Sequence, residues 1–175
     1  SVPKVEKNNF SRKLCVFNNT RTSGIWNKDR ISDMITQKVE YMNCKVVRAT
    51  TEHVDFKDQP LDLYIHDTGN VPSGFSKLTE LSRDVWDSFV NHFIIGPAVG
   101  TQSYLNTFVP GGSDDPRLFK DAKGRIIIIG PALPVGKKIS GHERAKAEVF
   151  RGALRPFVTT INQELSDVLK SNIRV

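Results

Sequence analysis

Cysteine is almost missing from this chain: Cys15 and Cys44 are the only two in 175 residues. Two thiols cannot replace a core with a disulfide framework, and neither lies in a C-x-x-C, so a structural zinc site has no support either. Both sit in strand-like surroundings (KLCVF and MNCKV) and read as buried free thiols. Long apolar runs are also missing; none approaches the ~20 residues a membrane-spanning helix needs. The N-terminus, SVPKVEKNNFSRK, lacks the apolar stretch of a secretory signal. There is no internal repeat and no low-complexity tract.

What is present is ordinary in bulk and uneven in detail. A hydrophobic fraction of 38% and a charged fraction of 25% suit a globular domain. A chain of this length can bury roughly 70% of its unfolded surface, so one real core is expected. The reading is a lead-in arm over 1–11 and a single domain over 12–175. The formal net charge is +6. Ten Lys or Arg fall between Arg117 and Arg155 against three acids, a local excess of +7, while the rest of the chain nets −1. Such a concentration of positive charge points to an anionic partner.

Hydrophobic periodicity places the elements. Residues 12–17 (RKLCVF), 44–50 (CKVVRAT) and 61–67 (LDLYIHD) read as strands. The spacing over 31–42 is that of one helical face. Residues 76–95 read as a helix ended by GPAVG, and 103–109 as a strand or short helix. RIIIIG, 125–130, has no alternation and suggests a strand covered on both faces. Residues 141–171 form a long helix with apolar positions 145, 149, 153, 157, 161, 165 and 168, kinked or split at Pro156. Helices and strands mix without regular βαβ alternation. The fold class is therefore α+β: one domain, a mixed sheet with a central buried strand near 125–130, and a long, kinked C-terminal helix.

The stretch 125–152 imitates a phosphate-binding P-loop but does not fit one. Gly130 and Gly136 are separated by five residues rather than four, Lys138 stands where a hydroxyl should bind magnesium, and Pro131 and Pro134 remove loop N–H donors. What the stretch encodes is a helix start, Ser140-Gly141-His142-Glu143, with the pattern of a capping box. Lys137, Lys138 and His142 surround that start, where exposed amides favour anions. Arg144, Arg151 and Arg155 continue as a stripe down the helix. These six residues are the candidate nucleic-acid or anion-binding set.

His66 shares an alternating strand face with Asp62 and Tyr64, an arrangement open to acid–base work or to a hydrogen-bonded strand end. His92, beside Phe93, reads as structural. Val5-Glu6-Lys7-Asn8-Asn9, with a lysine interposed, resembles the VENN box that precedes the toxin domain of contact-dependent inhibition proteins. That resemblance spans residues 5–11 and implies a bacterial toxin, often a nuclease. The charge pattern leads to a non-enzymatic polyanion-binding protein, with RNA or a nucleoprotein as partner. The role expected is structural or in assembly, as in a viral or phage component, compatible with a homo-oligomer and with a cytoplasmic or virion-associated location. The alternatives are a small RNase-like or hydrolytic toxin domain, metal-independent, with His66 or His142 as acid–base, and a matrix-like protein on an anionic membrane. No cofactor, no metal and no transmembrane segment are expected, and no catalytic residue is assigned.

Overall fold

The computed structural model describes residues 13–18, 30–42, 44–49, 62–68, 78–108, 123–130, 141–169 and 171–175. Four strands, β1 (Lys13–Asn18), β2 (Lys45–Ala49), β3 (Leu63–Asp67) and β4 (Arg125–Ile129), form one sheet in the order β2-β1-β3-β4. All three pairings are parallel, with Leu14 opposite Val46 and Leu63, and Tyr64 opposite Ile126. Parallel neighbours cannot be joined by a tight turn, so each connection must cross over a face of the sheet. Helix α1 (Arg30–Tyr41) makes the first crossover, from β1 to β2.

Alternation along β3 sends Tyr64 and His66 to one face and Leu63 and Ile65 to the other. Ile35 and Val39 of α1 cover Leu63, Ile65 and Ile129. On the opposite face Tyr64 and Ile126 pack with Tyr104, Leu165 and Ile173. The sheet is thus covered on both faces. The expected mixture of helices and strands, with a long C-terminal helix, is what the structure has. Two details differ. The described sheet is parallel throughout, and β4 lies at its end rather than in its middle. The unbroken isoleucine run implied cover on both faces, but Ile127 is 44% exposed, because nothing described lies over that side of the last strand.

The segment expected as a helix over 76–95 is longer and more varied. A 3₁₀ turn (Leu78–Glu80) precedes α2 (Arg83–Val90), whose N-cap Ser82 accepts a hydrogen bond from the Val85 amide at 3.4 Å. A π-turn follows at Asn91–Ile95, and the chain continues as α3 (Gly96–Asn106). Gly96-Pro97 reads as a stop in sequence. The wide turn lets the Gly96 amide reach the Asn91 carbonyl, and Pro97 then enters at the start of α3, where its missing N–H is not needed. Residues 103–106 are the last turn of α3, so this part of 103–109 is helix and not strand.

Helix α4 (Gly141–Gln163) runs through Pro156 and ends in a second π-turn, Glu164–Val168. The proline forfeits only one backbone donor, and the helix is not split there. Its buried face is rotated from the expected one: Lys146, Ala147 and Phe150 are buried, whereas Val149 is 44% exposed. Phe150 joins Phe89 and Phe93 in an aromatic cluster, which fixes the rotation. Residues 1–12, and with them the expected arm and the VENN-like run, lie outside the described residues. So do Ser140 and the loop 131–140.

Candidate functional site

The two crossovers flanking β1 and β3 leave on opposite faces of the sheet: α1 covers one face, α3 and α4 the other. The helices therefore diverge above the carboxyl ends of β1 and β3, where Asn18 pairs with Asp67. In open parallel sheets this switch in winding leaves a crevice, and ligands bind there. Polar side chains gather beside it. His66, Asp67 and Thr68 end β3, and all three are buried.

Their geometry is fixed by short contacts. Tyr64 Oη lies 2.9 Å from His66 Nδ1 inside the protein. A side chain at Gly100 of α3 would collide with the Tyr64 hydroxyl and approach His66 Nδ1 at 3.1 Å, so the pair exists because that helix position is glycine. Burial pushes the His66 pKa down to about 3, and the nearby His92 adds to the shift, so the imidazole is neutral at physiological pH. Thr68 ties β3 to β4: its amide and its hydroxyl both donate to the Ile129 carbonyl, at 3.0 and 2.8 Å. Its own carbonyl accepts from His92 Nε2 at 3.0 Å, which sets that nitrogen as the protonated one. Thr101, next to Gly100, buries its hydroxyl oxygen with no hydrogen-bond partner among the described residues.

Lys146 is the unexpected member. It is 2% exposed, and desolvation lowers its pKa, with Glu143 one turn back partly opposing the shift. Phe150, one turn further along the same face of α4, packs against Gly130 at the carboxyl end of β4, where an added Cβ would meet its ring. Lys146 therefore stands one turn closer to the start of α4, on the side of the carboxyl edge. A buried ammonium needs acceptors around it and is a frequent mark of a functional site. Sequence reasoning counted Lys146 as one more surface charge. Its spacing of four from Phe150 was the available signal.

Of the six candidates from sequence, three have described side chains. Lys137 and Lys138 lie outside the described residues. His142 is in the first turn of α4, and its side chain is not described. Arg144, Arg151 and Arg155 are exposed on α4, and Arg151 Nη1 bonds the Glu148 carboxylate at 2.9 Å. His66, considered for acid–base work, is a fully buried, hydrogen-bonded strand residue. Among the described residues there is no cluster of three metal-ligating side chains and no helix long and apolar enough to cross a membrane. Cys44 is a half-buried free thiol whose pKa is raised by burial and by Asp62.

No protein-family model and no curated protein matches the chain. Among solved structures it is similar to BdcA in complex with NADPH, with a TM-score of 0.51 and 16% identity over 93% of this chain and 67% of that one. A short-chain flavodoxin associated with a bacterial microcompartment aligns at a TM-score of 0.30 and 9% identity, over 82% of this chain and 97% of that one. The first likeness establishes a shared fold. It overturns the reading of a non-enzymatic polyanion-binding assembly protein. The architecture is that of a protein solved with a nucleotide cofactor, and the buried polar groups collect at the sheet edge. The charge excess misled because it summed residues regardless of burial: Lys146 is inside.

Proposed function

We propose that this chain binds a nicotinamide dinucleotide in the crevice above the carboxyl ends of β1 and β3. The single observation that carries the reading is the parallel β2-β1-β3-β4 order, with its winding switch beside the buried run His66-Asp67-Thr68. The fold shared with a protein solved in complex with NADPH supports it.

The residues fit such a group in part. Lys146, buried near the start of α4, would donate to ribose hydroxyls or phosphate oxygens at the carboxyl edge. Asp67 and Thr68 line the end of β3 and, through the Thr68–Ile129 bonds, keep β3 and β4 in register where a ring would rest. The segment 19–29 between β1 and α1 departs from the usual pattern: Gly24 is its only glycine, where the dinucleotide fingerprint carries three. When bound, the nicotinamide would supply hydride transfer. The chain's own part is to bind, to orient and to exclude water.

Titration with NADPH, followed by thermal unfolding, tests this. A ligand present at 100 times its Kd stabilises the native state by about 2.7 kcal/mol. The expected result is a saturable rise in Tm that is reduced in Lys146→Met. A flat Tm with NADPH and with NADH, up to millimolar concentration, sinks the proposal.

A further inference from the structure

We draw no further inference here: the strongest candidate, the outer surface of α4 and of the π-turn packed against it, with Val149 44% and Ile95 45% exposed, carries nothing because nothing among the described residues shows what covers it.

Discussion

His66 gives the most direct handle on whether the carboxyl edge is built as described. Its side chain is fully buried and its pKa is held at about 3, against 6.5 when free. A base whose folded pKa is depressed binds its proton more readily in the unfolded chain. Stability is therefore complete above 6.5 and is lost as pH falls from there toward the folded pKa. For one such group, the loss on going from about pH 7.5 to about pH 5 is about 2 kcal/mol. Those conditions lie above the carboxylate range, so few acids contribute. The assay is urea unfolding at several pH values, for the wild type and for His66→Gln. The glutamine variant is expected to be less stable at pH 7.5 but flatter with pH, the difference in slope belonging to His66. The remaining histidines are common to both proteins and cancel. Equal slopes in the two proteins would show that His66 is hydrated or paired with an anion, and the account of a desolvated imidazole facing His92 would fail.

Three further outcomes follow from the same geometry. Gly100→Ala places a methyl group on the Tyr64 hydroxyl and should cost about 3 kcal/mol in denaturant unfolding, through overpacking and loss of the Tyr64–His66 bond; a cost below about 0.5 kcal/mol would mean that α3 shifts freely away from the sheet. Thr68→Val removes a buried hydroxyl that donates to Ile129 and should lower stability by about 1 kcal/mol, with faster amide exchange at the end of β3. Lys146→Met removes a buried ammonium from the acceptors around it and should lower stability by about 3 kcal/mol while weakening NADPH; unchanged stability would show that the ammonium makes no net contribution to the fold.

Local periodicity carried most of the elements. The strands at 13–18, 45–49, 63–67 and 125–129 and the helix at 30–41 fall within a residue or two of where alternation and helical spacing put them. Pairing was not legible. Nothing in RKLCVF or LDLYIHD states that β1 lies between β2 and β3, because parallel register is set by crossovers and packing rather than by turn residues. The π-turn at 91–95 was hidden for a related reason: Gly96-Pro97 is a stop in an α-helix and is tolerated only after a widened turn. His66 was legible as a polar residue on a strand face with Tyr64, but its burial required knowledge of Gly100, 34 positions away on α3.

The functional reading failed at Lys146, and the reason is general. Net charge is a sum over residues, whereas a site depends on where each charge is placed. On α4, Arg144, Arg151 and Arg155 point to water, and in water an exposed cation contributes little beyond solubility unless a partner arrives. Lys146, inside the same ten-residue stretch as Arg144 and Arg151, is desolvated between Glu143 and Phe150 and lies toward the edge of the sheet. A buried cation in such a place is a frequent mark of a functional site. The same holds for the buried run His66-Asp67-Thr68, which ends a strand that apolar residues would stabilise more simply. Both departures from an apolar interior occur at the carboxyl edge of one parallel sheet, above its winding switch, which is the place this architecture reserves for a ligand.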